Sequence, residues 1–464
     1  MKHVHLIGIG GTGLSAIARV LLESGYTVSG SDRTLSPLAQ NLQTLGVRVY
    51  SGHAGANIAN ADIVVRSSAI PDDNPEVLAA RAAGIPVLKR ADFLGSLMKG
   101  KNSIAIAGTH GKTTTTAMIT WMLTKLEEDP SYIVGGTIQN LGNNAHAGKG
   151  SAFVIEADEY DRMFLGLNPN MIVLTTLEHD HPDCYPTPEE YRQAFLDFTN
   201  RLVPGGTLLA CIDNAGTAEV LRFAANRGQS VHSYGINPAA DYQAQNLVPV
   251  AEAGYSFDAY FRRASGSMKS LGQVALKVPG QHNVLNALAA LAAADLMGLP
   301  VLKAARALGE FRGTGRRFEV LGETNGMVII DDYAHHPTEI RATLAAARSR
   351  YPGRRIWAVW QPHTYSRTRT LFQQFAGAFS DADQVIVTDI YAAREPQQNF
   401  SAAQVVKAMS HPNARFIPAL PDVRDALLAE LRPGDVLLVL SAGDADQISA
   451  QVLAVLQERS KPHA

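Results

Sequence analysis

Residues 103–114 read S-I-A-I-A-G-T-H-G-K-T-T, and the reading of the whole chain starts there. Ser103, Ile104, Ala105, Ile106 and Ala107 predict a short buried strand. Gly108, Thr109, His110 and Gly111 form a loop, and Lys112, Thr113 and Thr114 open a helix. Strand, glycine loop, Lys-Thr and helix in that order make a phosphate loop. Bare amides cradle phosphate oxygens, the lysine reaches the β and γ groups, and the threonine hydroxyl can ligate Mg²⁺. The usual form needs a glycine where this chain has Ile106, so the loop is a shortened G-T-x-G-K-T.

Outward from this stretch, β-branched runs alternate with Ala/Leu-rich helical stretches from end to end. That alternation predicts an α/β protein with mostly parallel sheets. Three blocks separate. Residues 1–98 carry expected strands at 4–7, 26–30 and 62–66 and a helix at 14–24. Residues 99–315 carry strands at 103–107, 152–155, 171–175 and 207–211, with a helix at 283–297. Residues 316–464 carry strands at 327–330, 356–360, 384–387 and 436–440. The expected architecture is a Rossmann-like N-terminal block, a P-loop ATPase-like centre and a Rossmann-like C-terminal block. In open α/β sheets ligands bind beyond the carboxyl ends of strands. Residues 331–336, 361–369 and 441–444 sit there in the third block.

The first block has its own glycine turn. Gly8, Gly10 and Gly13 form G-x-G-x-x-G around Gly11 and Thr12, and Asp32 ends the next strand. Ser67 and Ser68 follow another. The physics is that of a bare backbone meeting a diphosphate at a helix N-terminus. Taken alone, the turn suits NAD or FAD, and a UDP-sugar carries the same pyrophosphate. The ATP loop at residues 108–114 decides against hydride transfer, so no NAD is expected.

Composition narrows the classes further. The chain has 464 residues, 46% apolar and 18% charged, enough for several domains with real cores. Lys+Arg 41 against Asp+Glu 43 gives a net charge of −2, which is no footprint for nucleic acid or an anionic membrane. Cys184 and Cys211 have neither metal-ligand spacing nor a disulfide framework. No apolar run reaches the ~18 residues of a membrane span. A cytoplasmic protein is expected.

Acids follow two strands of the centre. Glu156 opens E-A-D-E-Y-D, and Glu178, His179, Asp180 and His181 follow the strand at 171–175. Oxygen ligands at strand ends beside a phosphate loop suit Mg²⁺. Glu159, Asp161 and Asp183 read as surface turns or helix caps, and His179 as structural.

These motifs in this order, G-I-G-G-T-G, G-T-H-G-K-T-T, E-A-D-E-x-D and E-x-D-H-x-D, resemble the Mur ligases. H-N-x-x-N at 282–286, R-R-F at 316–318, D-D-Y-A-H-H-P at 331–337 and Q-P-H-T-Y-S-R-T at 361–368 complete the likeness, which spans nearly the whole chain. The resemblance implies an ATP-dependent, amide-bond-forming ligase. Its first domain would bind the UDP part of the substrate through Gly8, Gly10, Gly11, Thr12, Gly13, Asp32, Ser67 and Ser68. Its middle domain would bind ATP through residues 108–114, Asn283 and Asn286, with Arg317 and Asp332 reaching in from the third. Thr113, Glu156 and His181 would hold Mg²⁺, with Mn²⁺ able to substitute. Tyr333, His335 and Arg367 would line an amino-acid pocket. Lys112, Glu156, His181 and His335 would carry the catalysis.

Residues 361–368 look like the member that adds L-alanine to UDP-N-acetylmuramate, with a tripeptide-joining recycling ligase as the alternative. The partners are then small molecules, with no nucleic acid and no membrane insertion, and the protein is expected to be a monomer or weak homodimer. Two departures stand out. Several family members carry a carbamylated lysine, but here no lysine occurs between Lys149 and Lys269. Many alanine-adding members have Arg where this chain has Thr364.

Overall fold

The computed structural model describes residues 2–251 and 253–460. It contains three sheets strung along the chain. The first is five parallel strands, Arg48–Ser51, Thr27–Asp32, His3–Ile7, Ile63–Arg66 and Val87–Lys89 in spatial order. The order reverses beside His3–Ile7, and a reversal of this kind opens a crevice at the strand ends. The glycine turn and the helix Thr12–Glu23 sit there.

The middle sheet has ten strands. Asn102–Ala107 runs parallel between Ala152–Glu156 and Met171–Leu174. Its flank is antiparallel: Tyr242–Pro249, Tyr255–Arg262 and Met268–Ala275 form a meander. The sequence pattern did not predict this meander. Fully buried parallel strands read as continuous apolar runs, whereas a half-solvated antiparallel strand alternates apolar and polar residues, which a reading of continuous runs passes over. In Tyr255–Arg262 only Phe257 and Ala259 are buried.

Two helices of this part fix the site. Lys112–Lys125 starts at the phosphate loop and packs against Gln281–Leu296. Ala287, Ala289, Ala290, Ala292, Ala293 and Ala294 are all buried in the second of these. Small side chains on every face allow close approach of both its neighbours and the sheet, and alanine costs no side-chain entropy. The close approach brings Asn283 and Asn286 to the start of the first helix.

The third sheet has six strands, five parallel and one antiparallel edge, Glu319–Thr324. Its centre, Met327–Asp332, Val436–Ser441 and Ile356–Gln361, is buried at every position. Each fully buried Val, Leu or Ile there contributes about 1.5–3 kcal/mol. Buried parallel strands leave their carboxyl ends as the exit points of the chain, and residues 331–336 and 361–367 emerge there.

Candidate active site

The phosphate loop is shaped by backbone that only glycine tolerates well. Gly108 has φ +135° and Gly111 φ +82°. A Cβ on Gly108 would lie 2.2 Å from Thr175 Oγ1, and one on Gly111 2.7 Å from Asn286 Oδ1. The neighbouring strand end clamps the shortened loop: Thr109 N donates to Thr176 O at 2.9 Å, His110 N to Thr176 Oγ1 at 2.9 Å and Thr109 Oγ1 to Glu178 O at 2.8 Å. The helix after it has no side-chain cap and no acid in its first turn. Its first N–H groups therefore face the loop uncapped, as an anion site requires.

Around this anion site the charges are dense. Lys112 Nζ donates to Gly108 O at 2.5 Å, Thr109 O at 3.1 Å and Glu159 Oε1 at 2.9 Å. Thr113 Oγ1 donates to Glu156 Oε1 at 3.0 Å, and Gly135 N to Glu156 Oε2 at 2.6 Å. Burial pushes the Glu156 carboxyl up, against the pull of the Lys112 charge. A buried carboxylate beside a threonine hydroxyl is a donor set that suits Mg²⁺, whose charge would offset the burial. His181 lines the same cleft as Thr113 and Glu156 and holds a left-handed backbone, φ +53°. Its Nε2 lies 3.7 Å from Glu159 Oε1, and its Nδ1 accepts from Arg367 Nη2 at 3.3 Å.

Glu159 corrects the sequence reading. It was expected on a surface turn, yet it is fully buried and pairs with Lys112. An acid within a polar run carries no apolar period to reveal burial. The signal that could have found it is the cation in the phosphate loop, which needs a counter-charge. Asp161 and Asp183 are exposed, as expected. His179 Nε2 donates to Tyr185 O at 2.8 Å, a contact within the fold.

Two cavities beside the loop share Thr113, Arg317 and Glu339 in their linings. One is lined by His110, Gly111, Thr113, Thr114, Asn283, Asn286, Arg317 and Asp332, with Val278, Leu285, Phe318 and Ala342 as an apolar wall. Asn286 Nδ2 donates to Asn283 Oδ1 at 2.9 Å, and Thr115 Oγ1 to Asn286 Oδ1 at 3.1 Å. Asp332 accepts Phe318 N and Ala334 N, each at 2.7 Å, and burial pushes it up to about 6 against the Arg317 charge. Polar groups around an apolar slot beside a phosphate loop suit a nucleotide base and ribose.

The second cavity draws residues from all three sheets. Thr12, Gly13 and Arg90 come from the first, Lys112, Glu156 and His181 from the middle, and Tyr333, His335, Thr364 and Arg367 from the third. Of the expected first-block residues only Thr12 and Gly13 line this cleft. Gly8, Gly10 and Gly11 shape the turn, and Ser67 and Ser68 follow the strand Ile63–Arg66. Asp32 gives one carboxylate oxygen to Gly10 N at 2.9 Å, bracing the turn. Arg90 was not singled out in the sequence. Its Nη1 lies 1.8 Å from where a Gly13 Cβ would stand, and its Nη2 donates to Asp158 at 3.4 Å. It sets a cation directly over the glycine turn.

In the third part, Tyr333 lies under two guanidinium groups, Arg316 at 5.0 Å and Arg317 at 5.1 Å from the ring centre. His335 Nδ1 donates to Tyr333 O at 2.9 Å, and burial pushes its ring down to about 3. Arg367 is 3% exposed and already engaged: Nε donates to Asp180 Oδ1 at 2.8 Å and Nη1 to His363 Nδ1 at 3.0 Å. Thr364 caps the helix Tyr365–Thr370 through its hydroxyl. Two further contacts tie the third part to the loop. His110 Nδ1 donates to Glu339 Oε1 at 3.2 Å, and Thr338 Oγ1 to Glu178 Oε2 at 2.8 Å. Glu339 did not stand out in the sequence, and Glu178 did so only as one of the strand-end acids that suit Mg²⁺.

Comparison with known proteins agrees with this geometry. Three family models match in sequence: the Mur ligase family, catalytic domain, over residues 3–102; the Mur ligase middle domain over 106–294; and the Mur ligase, glutamate ligase domain, over 316–443. A UDP-N-acetylmuramate–L-alanine ligase of Geobacter sp. (strain M21) is 43% identical, covering 98% of both chains. One from Acidobacterium capsulatum is 44% identical over 99% of this chain and 98% of the relative. The crystal structure of UDP-N-acetylmuramate-alanine ligase from Thermotoga maritima superposes with a TM-score of 0.82 at 28% identity, covering 99% of this chain and all of that one (100%). A murein peptide ligase from Psychrobacter arcticus 273-4 gives 0.71 at 25%, covering 98% and 99%. With three matching models in order and relatives this similar over its full length, the chain belongs to the Mur ligase family.

Proposed function

We propose that this protein joins L-alanine to the lactyl carboxylate of UDP-N-acetylmuramic acid, with ATP converted to ADP and phosphate, in peptidoglycan precursor synthesis. The observation that carries the reading is the cleft where the phosphate loop, a glycine turn and a third-domain pocket converge. The substrates follow from the relatives, which share the name of the L-alanine ligase at 41–44% identity. The recycling ligase is the weaker reading: the murein peptide ligase superposes less well, 0.71 against 0.82.

A carboxylate resists attack by an amine because its charge repels the nucleophile. Phosphorylation removes that charge. A lactyl carboxylate oxygen bonds to the γ-phosphorus of ATP, the bridge to the β-phosphate breaks, and ADP leaves. The neutral amine of alanine then bonds to the acyl carbon, the acyl–oxygen bond breaks, phosphate leaves and the amine gives up its proton. Two anions must meet in the first step, so electrostatic neutralisation and positioning carry it. Lys112 and the uncapped amides of residues 111–114 supply both. Thr113, Glu156 and His181 would hold Mg²⁺ or Mn²⁺, which supplies further neutralisation of the phosphates.

The remaining roles divide by part. Residues 1–98 take the UDP moiety at the glycine turn, with Thr12, Gly13 and Arg90 facing the cleft. Residues 99–315 take ATP, its base against Asn283, Asn286, Arg317 and Asp332. Residues 316–464 take alanine beside Tyr333, His335 and Arg367. A ring pushed down to about 3 is neutral in the working range and a weak base. His335 therefore suits accepting a hydrogen bond from the amine better than carrying its proton away. The protein works in the cytoplasm as a monomer or weak homodimer. A phosphate-release screen of UDP-N-acetylmuramate against amino acids and the tripeptide L-alanyl-γ-D-glutamyl-diaminopimelate tests the reading. L-Alanine should give the highest kcat/KM; a preference for the tripeptide would make the recycling ligase correct.

A further inference from the structure

Glu159 is a buried carboxylate that the reaction as described leaves unused. A turn of unusual shape drives it inward. Asp161 and Arg162, just after it, both hold left-handed backbone at φ +54°. Such conformations are strained for residues with a Cβ and persist where the surroundings enforce them. The carbonyl of Glu159 is pinned by Tyr185 Oη at 2.5 Å and Arg162 N at 2.9 Å.

Its side chain then points at the phosphate loop with no exposure. Oε1 accepts Lys112 Nζ at 2.9 Å and Tyr191 Oη at 3.3 Å, and His181 Nε2 stands 3.7 Å away. Oε2 is buried with no hydrogen-bond partner. A buried carboxylate that served only to hold the fold together would be expected to have both oxygens satisfied. Lys112 shows the complementary pattern. Its ammonium has three N–H groups, and three acceptors take them: Gly108 O, Thr109 O and Glu159 Oε1. The two carbonyls belong to the loop itself, so the bond to Glu159 is the one that aims the ammonium and sets its charge environment.

We propose that Glu159 is a positioning residue for phosphoryl transfer, holding the Lys112 ammonium over the loop and remaining its counter-charge as the ammonium turns to the transferring phosphoryl group. It acts through Lys112 and not by contact with any of the three substrates. The inference rests on the ligase reading given above.

The test uses the full-length enzyme with ATP, Mg²⁺, UDP-N-acetylmuramate and L-alanine. Glu159→Gln should lower kcat by about 10- to 100-fold, the range for a hydrogen bond to a charged group. The KM for ATP should stay within about threefold, because the loop amides remain. Glu159→Asp, which keeps the charge one methylene short, should lie between. In the double variant, adding Glu159→Gln to Lys112→Ala should slow the enzyme no further, since groups acting through one another are not additive. Wild-type kcat in Glu159→Gln, or full multiplication of the two effects, would overturn the proposal. Should Glu159→Gln not fold, Glu159→Asp decides: an intermediate kcat supports the proposal and a wild-type kcat overturns it. A wild-type chain that makes no ADP with these substrates would sink the ligase reading instead.

Discussion

Lys112 shows what a single side chain was able to reveal and what it hid. Its place in G-T-x-G-K-T made its position in a glycine loop at a helix start legible, because backbone geometry and residue type must coincide there. Its partner Glu159 was not legible, since the pairing spans 47 residues and depends on a turn with two strained positions. Lys112→Ala should lower kcat by several hundred-fold, as expected for a clamp on developing charge worth ~3–4 kcal/mol. Calorimetry should show UDP-N-acetylmuramate binding almost unchanged, and near-normal turnover would refute the role.

Arg367 was legible by motif, but its surroundings change the expected result. Because Nε is held by buried Asp180, Arg367→Lys loses the planar fork on both sides. The KM for alanine should rise far more than that for ATP, and the melting temperature should fall as Asp180 loses its partner. Equal effects on both Michaelis constants would separate Arg367 from the amino-acid pocket.

At the scale of elements, the strand Asn102–Ala107 and the start of the helix Lys112–Lys125 were predicted within a residue or two, because the buried strand is a continuous apolar run. The meander at Tyr242–Ala275 was not, because half-buried antiparallel strands alternate apolar with polar residues and form no continuous apolar run. The inward clamp of residues 175–178 on the loop was hidden too, since side chain to backbone bonds leave no period. The element's geometry makes a sharp prediction at Gly111. Alanine there must hold φ +82° and push Asn286 Oδ1 from 2.7 Å. A left-handed residue costs roughly 1–2 kcal/mol before any displacement. Gly111→Ala should therefore weaken ATP binding by tenfold or more, read by calorimetry, with the first sheet's ligand unaffected. Wild-type ATP affinity would show that the loop can be built another way.

Across the whole molecule, site residues come from three sheets, so the parts must stay together for reaction, which also shields an acyl phosphate from water. His110 is one of the ties. Burial alone would lower it, but hydrogen bonds to Glu178 and Glu339 prevail and bring it up to about 9. A raised histidine contributes fully below its ordinary value of 6.5 and loses its contribution as pH rises through about 9. Glu178, held down to about 2 by that hydrogen bond, loses its share only as pH falls from 4.5 toward 2. Small-angle scattering should accordingly show a larger radius of gyration at pH 10 than at pH 7, and His110→Gln should abolish most of the difference. An identical change in the variant would assign the effect elsewhere.

The central claim is that one cleft makes an amide bond between a UDP-sugar carboxylate and L-alanine at the expense of ATP. The most direct measurement follows ADP and the coupled product by mass spectrometry, with UDP-N-acetylmuramate, ATP, Mg²⁺ and isotopically labelled L-alanine. The account predicts one labelled alanine in the UDP-sugar product per ADP formed, and none without ATP. Incorporation without ATP, or ADP formation with no labelled product, would contradict it.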